Sequence, residues 1–280
     1  MKNHLKNQNS FLDLVTWRIV LLSLVVFCFL TGCKMKNSKH DFLAPKEIID
    51  LGGLVTEDLP DRIWGRDLMK AFGFEKSNHF EVINWEFEMG TGKVSGSNAY
   101  YTFFNHGGPH VDGPNHVGFE GGLDSYSIEQ FIGPLKVFDV SEYPNGRTVP
   151  VEVFQDKVSP GDIVLIYTNY IPPQSVKTPP ELITLSHKAS EYLAEIPIKA
   201  FCTDAFSVAC TDNSNPVESD SETARAVPIH HSFLSRAIPI YEELCNVEKL
   251  LTKQNMYFIG VPLNIKDGDG MLVRPVVLVY

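Results

Sequence analysis

Three imidazoles and a carboxylate fall within eleven residues of this 280-residue chain, at His106, His110, Asp112 and His116, in the run Asn105-His106-Gly107-Gly108-Pro109-His110-Val111-Asp112-Gly113-Pro114-Asn115-His116. Neutral imidazoles with a carboxylate are the donor set of a divalent ion such as zinc or manganese, and three protein ligands leave a coordination position for water. The glycines and prolines at 107, 108, 109, 113 and 114 exclude a helix, so the run is extended. Side chains of an extended chain alternate sides. His106, His110 and Asp112, at even spacing, therefore share one side, and His116 joins them if the Gly113-Pro114 turn keeps the direction. The chain holds nine histidines, and three of them in eleven residues, punctuated by residues that let the backbone crowd an ion, read as a metal site rather than an exposed loop.

The elements around this run must hold it still. Residues 47–51 open the fold as a short strand, residues 79–88 alternate apolar and polar, and the aromatic run 100–104 is a strand that delivers the loop. Beyond it, 127–132 reads as a helical turn, 135–140 as a strand and 150–154 as a helix start. Ser159-Pro160-Gly161-Asp162 is a turn before the apolar run 163–168, which reads as a strand buried on both faces. Residues 182–193 have helical spacing and would cover the sheet; 198–204 is a strand ending at Asp204. Asp204 either fixes an imidazole from behind or caps the next turn. Residues 212–225, acidic and polar, are expected as a loop over the site. A second cluster, Ile229-His230-His231-Ser232, lies at a predicted helix start and is followed by Glu242 and Glu243. The composition fits an α/β protein with one sizeable core.

The loop resembles the His-x-Gly-Thr-His-x-Asp-x-Pro-x-His signature of the cyclase family of metal-dependent hydrolases, which includes kynurenine formamidase and isatin hydrolase. His106, Gly108, His110, Asp112, Pro114 and His116 fall on the signature, and Pro109 departs from it where the family has Thr. Gly161-Asp162 to Thr168 resembles the family's Gly-Asp-x-x-Leu-x-x-Thr-Gly-Trp strand, with Asn169 and Tyr170 in place of Gly-Trp. Thr203-Asp204-Ala205-Phe206-Ser207 resembles its Thr-Asp-x-x-Ser step. His230 and, twelve residues on, Glu242 match a His opening a helix and a Glu in an Ile-x-Glu-Asn-Leu context, with Glu243 at the family's Asn; His231 and Glu243 are the alternative register. The C-terminal Gly260-Val261-Pro262-Leu263 to Arg274 resembles the family's ending.

The resemblance, running from about residue 47 to 279, implies a swivelling β/β/α domain, a mixed sheet with flanking helices, over residues 46–280, and a homo-oligomer. It implies that His106, His110, Asp112, His230 and Glu242 hold one or two divalent ions, zinc before manganese, and that His116 moves a proton as general acid/base. Trp64 is the nearest match to a pocket-lining Trp. The substrate expected is a small molecule with an amide C–N bond: an aryl formamide, a cyclic imide or an isatin-like lactam. The competing expectation is a surface lipoprotein of the same fold that binds a metal or a solute without turning it over.

Residues 1–32 carry Lys2, Lys6 and Arg18, an apolar run from 19 to 30, and then Leu30-Thr31-Gly32-Cys33. Twelve apolar residues are too few for a membrane-spanning helix of about 20, and small residues before a cysteine resemble a bacterial lipobox. The expectation is a signal peptide over 1–32, a lipid on Cys33, a basic tether over 33–45, and a place in the bacterial cell envelope, at the outer membrane where there is one. Cleavage removes Lys2, Lys6, Arg18 and Asp13, a net +2, which takes the formal charge from −10 to −12 and makes nucleic acid an unfit partner. Of five cysteines, Cys202, Cys210 and Cys245 would remain unlipidated, an odd number that forms no disulfide scaffold, and Cys202 and Cys210 read as apolar fillers. Cys33→Ala expressed in a bacterial host should free the protein from membranes or stall its processing. Fractionation that finds it still membrane-attached with its N-terminus uncleaved would instead establish a retained helical anchor.

Overall fold

The computed structural model describes residues 44–59, 70, 73, 78–171, 181–209 and 226–280. The signal peptide, Cys33, most of the tether, Trp64, Cys210 and the 212–225 loop lie outside the described residues. A compact unit begins at Pro45. No helix among the described residues is long and apolar enough to cross a membrane.

The framework is a curled nine-stranded mixed sheet. In chain order its strands are β1 (Glu47–Asp50), β4 (His110–Asp112), β5 (Ile132–Asp139), β7 (Ile163–Tyr167), β9 (Ala200–Thr203), β10 (Ile240–Glu242), β11 (Met256–Ile259), β12 (Gly270–Leu272) and β13 (Val276–Val279). In space they run β1-β13-β11-β5-β7-β9-β10-β4-β12. Strands β5, β7, β9 and β10 pair in parallel and every other neighbour is antiparallel. The apolar run at 163–167 occupies the middle because both its faces are apolar: Val164 and Ile166 belong to one core, Ile163 and Leu165 to the other.

The first core lies under two short helices, α1 (His187–Glu195) and α2 (Pro228–Leu234), through Leu193, Ile229 and Phe233. The second is closed by the curl of the sheet, with Leu51, Tyr241, Phe258 and Val277 packed together. Helix α1 starts five residues later than its periodicity suggests. Leu182 to Leu185 are all buried, and Thr184–Leu185 form β8, paired in parallel with β6 (Thr148–Val149). Ser186 then caps the helix by accepting the Ala189 N–H, which fixes the start. Cys202 and Cys245 are free thiols, and Cys202 is a core filler.

The alternating stretch 79–88 is a strand, but not one that packs on the sheet. It forms β2 (His79–Met89), paired among the described residues only with β3 (Gly92–Thr102) in a separate hairpin. Val82, Phe87, Met89, Tyr100 and Tyr101 are exposed on it. The alternation correctly reads as a strand and says nothing of what covers it.

Candidate metal centre

Part of the presumed loop is a strand inside the sheet. β4 lies between β10 and β12, so its side chains are set by two ladders at once: Asp112 pairs with Ile240 and Gly270, His110 with Glu242 and Leu272. Period-two alternation sends His110 and Asp112 to one face while Val111 joins the core beside Tyr241. Glu242, directly across from His110, has its Cβ about 5 Å from it by strand geometry, and its Oε2 lies 3.5 Å from His110 Nε2. The second carboxylate of the site is therefore delivered by register, not by a helix. Its Oε1 accepts the Val208 N–H at 2.6 Å and the Ser207 hydroxyl at 3.3 Å, which hold it in place.

His110 and His106 are oriented from behind. His110 Nδ1 lies 2.8 Å from the Gly108 carbonyl and donates to it, which leaves Nε2 with its lone pair facing the site, 3.3 Å from Asp112 Oδ1. His106, in the turn before β4, has Nε2 at 3.0 Å from Asp269 Oδ2 and Nδ1 at 3.0 Å from Asp112 Oδ1. Asn105 holds the other oxygen of Asp269 at 2.9 Å. The His106 ring rests on Gly270, where an added Cβ would run into it. His230, from the middle of α2, brings Nε2 to 3.8 Å from Asp112 Oδ2 and 3.6 Å from Glu242 Oε1. Its neighbour His231 lies against Phe119 instead.

At the centre is Asp112, fully buried, with neither oxygen accepting a hydrogen bond among the described residues. A buried carboxylate left this way is costly unless cations face it. Burial raises its pKa, but the facing imidazoles, through charge from His110 and His116 when these are protonated and through His106, outweigh burial and hold it well below the usual range. The counterpart appears on the imidazoles: burial opposes the charged forms of His106 and His110, yet Asp112, with Asp269 or Glu242, leaves both raised. His116 goes the other way, lowered by burial and by the like charges of His106 and His230.

Among the described residues, three groups of donors could hold an ion, their ligand atoms all within 4.8 Å of one another: His106, His110 and Asp112; Asp112, His116 and His230; and His106, His116 and Asp269. Asp112 is common to the first two and can bridge. His116 follows the strand on a 3-10 turn, Pro114–Val117, with its ring 4.3 Å from that of His106 and 5.6 Å from that of His230. A buried carboxylate ringed by imidazoles, whose inward nitrogens become donors once their protons leave, suits a divalent cation.

One expectation changes, and one alternative falls away. Asp204 supports no imidazole: its carboxylate accepts from the backbone N–H and hydroxyl of Thr168, both at 2.8 Å, and from Tyr170 N–H, tying the end of β7 to β9. The carboxylate behind an imidazole is Asp269, which pattern reading passed over inside Asp267-Gly268-Asp269-Gly270. Glu243, the alternative to Glu242, points elsewhere. Its Oε2 accepts the Gly108 N–H at 2.6 Å, and burial pushes its carboxyl up to about 8.

Residues 38–209 match the Cyclase family. An uncharacterized protein of Methanocaldococcus jannaschii is 28% identical over 166 residues, 59% of this chain and 74% of that protein. An isatin hydrolase solved with the product analogue thioisatinate superposes with a TM-score of 0.65 at 20% identity, over 83% of this chain and 92% of its own. A potential metal-dependent hydrolase with cyclase activity gives 0.57 at 19% identity, over 84% and 98%.

Asp269→Ala leaves the His106 ring without the partner that fixes its orientation. The loss of such a partner typically costs about 10- to 100-fold in metal affinity. Metal titration of the variant should show a drop of that size with the thermal unfolding of the metal-free protein little changed. Unaltered affinity would mean that His106 is not a ligand.

Proposed function

The chain belongs to the Cyclase family, and from that premise we propose that it is a metal-dependent hydrolase cleaving an amide C–N bond in a small non-peptide molecule. An aryl formamide, a cyclic imide or an isatin-like lactam is the substrate class. The observation that carries this reading is Asp112, a fully buried carboxylate with no hydrogen-bond donor among the described residues, faced by imidazole nitrogens at 3.0, 3.3 and 3.8 Å. His106, His110 and Asp112 would hold the ion, zinc or else manganese, with His230 and Glu242 at hand for a second. A metal bound there lowers the pKa of its water towards neutrality and polarises the substrate carbonyl.

The remaining work falls to side chains. His116 is kept in its neutral form by burial and by the neighbouring imidazoles, so at neutral pH it accepts a proton from the attacking water and returns it to the leaving nitrogen. Phe104, its ring 6.1 Å from that of His106, supplies apolar wall for an aromatic substrate. We extend the proposal to the lipid on Cys33 and the cell envelope, and to a homo-oligomer. The exposed apolar side chains of the β2–β3 hairpin support the latter, because an isolated two-stranded hairpin is marginal in water.

Metal content and turnover on formylated anilines, cyclic imides and isatin test the proposal together. His110→Ala should lose both bound metal and activity. His116→Ala should keep metal and fold while turnover falls by about 10²- to 10⁴-fold. Metal lost with His116 would make it a ligand; metal retained with no turnover by the unaltered protein on any of the panel would favour a binding protein over a hydrolase.

A further inference from the structure

The β2–β3 hairpin divides its apolar residues between its two faces, and the division decides what can cover it. Register pairs Ile83 with Asn98, Trp85 with Gly96 and Phe87 with Val94. Alternation puts these residues and Met89 on one face of the outer half, towards the turn. The opposite face of that half carries Asn84, Glu86, Glu88, Lys93, Ser95 and Ser97, with Lys93 bridging to Glu86 at 3.0 Å. Nearer the root the pattern inverts, and Phe80 and Tyr101 meet edge to face on the second side. The outer half is an amphipathic two-stranded ribbon.

Its apolar face is built flat. The Trp85 ring stacks on Phe87, centroids 4.8 Å apart, and lies across Gly96, where a Cβ would come within 2.6 Å of it. Glycine there leaves room for the indole to lie down on the neighbouring strand. Ile83, Phe87, Met89 and Val94 nevertheless remain between 41% and 60% exposed. Among the described residues, β2 and β3 pair with no strand but each other, and such a ribbon is marginal in water. At roughly 200 Å² for each large side chain, the four leave about 400 Å² open, as much as the largest apolar patch of an ordinary monomer. That suits the apolar core of a standard interface of about 800 Å² per partner.

Charge selects the occupant. The chain carries a formal net charge of −10, so an arbitrary contact between two copies brings like charge together. Outward from Ile83 and Asn98 the apolar face holds no ionisable side chain, whereas the reverse face holds Glu86, Glu88 and Lys93. A face without charge meets its own image across a two-fold axis with nothing to repel. It also offers no charged group by which a foreign protein would be distinguished. We propose that this face is a self-docking surface: two copies of the chain pack it face to face, and their hairpins form a two-layered, four-stranded sandwich with Glu86, Glu88 and Lys93 turned outwards to water. This rests on the homo-oligomer put forward above and deepens it by naming the surface that makes it.

The root of the hairpin is pinned independently of its tip. Asn78 Oδ1 accepts the Phe104 N–H and its Nδ2 donates to the Thr56 carbonyl, both at 2.8 Å. Substitutions at the tip should therefore leave thermal unfolding close to that of the unaltered chain. The test keeps the full-length chain, expressed in a bacterial host, and adds one cysteine at a time. A bis-maleimide whose span matches the roughly 10 Å between packed sheets should join two copies through Phe87→Cys or Val94→Cys, but not through Glu86→Cys or Ser95→Cys on the reverse face. The chain without an added cysteine supplies the background. Phe87→Asp added to Val94→Cys should cut the joined fraction at least about tenfold, because an unpaired charge is then buried between the copies. Equal joining through the two faces, joining undiminished by Phe87→Asp, joining only to a different protein, or shielding of the apolar-face cysteines by lipid in place of a second copy would each overturn the proposal. No joining while a lysine-directed crosslinker still captures an oligomer overturns this surface and leaves the homo-oligomer standing; no capture by either reagent removes both. Metal content and turnover do not enter the measurement, so its outcome is separate from that of the hydrolase reading.

Discussion

A single buried carboxylate sets the terms for this molecule. Asp112 is fully buried at the end of a central strand and accepts no hydrogen bond among the described residues. Removing one carboxylate from water costs several kcal/mol in a protein unless cations repay it. The sequence places it there nonetheless, on a strand laddered on both sides, and surrounds it with His106 and His110 from its own run and His230 from a helix more than 100 residues on. The neighbouring structure follows from keeping those rings pointed inwards: the Gly108 carbonyl behind His110, Asp269 behind His106, and Ser207 and Val208 behind Glu242.

That arrangement also explains why the glycines stand where they do. Gly108 has φ +131°, a conformation an L side chain rarely adopts, and it both donates to Glu243 and accepts from His110. Gly270 is the floor under the His106 ring. Its partner across the ladder is Asp112 itself, so one strand pair supplies a ligand candidate on one side and the space for another on the other. Ligands held on paired strands keep their positions better than ligands on a free loop, and here the pairing partners β10 and β12 bring Glu242 and Asp269 with them.

How much of this could be read beforehand depends on the range of the interaction. The alternation that puts His110 and Asp112 on one face is a property of two neighbouring peptide units, and it was legible in the Gly/Pro-punctuated run itself. The central strand at 163–167 was legible for the same reason. Pairing of His110 with Glu242 spans more than 130 residues and is decided by sheet order, which no local pattern contains; the family's His-to-Glu spacing pointed to it. Asp269 escapes because its signal, an Asp between glycines near the C-terminus, is shared by any turn, whereas Asp204 stands in a Thr-Asp-x-x-Ser step that leaves support of an imidazole and capping of a turn equally open. The helix expected over 182–193 lost its first turn to a buried run that pairs as β8, a tertiary preference that helical periodicity does not register. Alternation over 79–88 gave the strand of the hairpin and left its partners open.

Electrostatics then ties fold to chemistry through protons. Without a metal, Asp112 is compensated by imidazolium groups: the raised His106 and His110 contribute stability that is full below the ordinary imidazole pKa and is lost as pH rises through their folded values. The lowered Asp112 contributes stability present above the ordinary carboxylate pKa and lost as pH falls through its folded value. The two windows overlap in mildly acid solution, where the ring of charges is self-sufficient. A divalent ion needs the same imidazoles neutral, so it must displace their protons, and its affinity rises with pH until they have left. Above that range the protons are gone and Asp112 loses its compensation, which is where a cation has most to contribute. Protons and metal are thus alternative occupants of one electrostatic demand, and the buried carboxylate that makes the fold costly without either is what makes the site ready for the second.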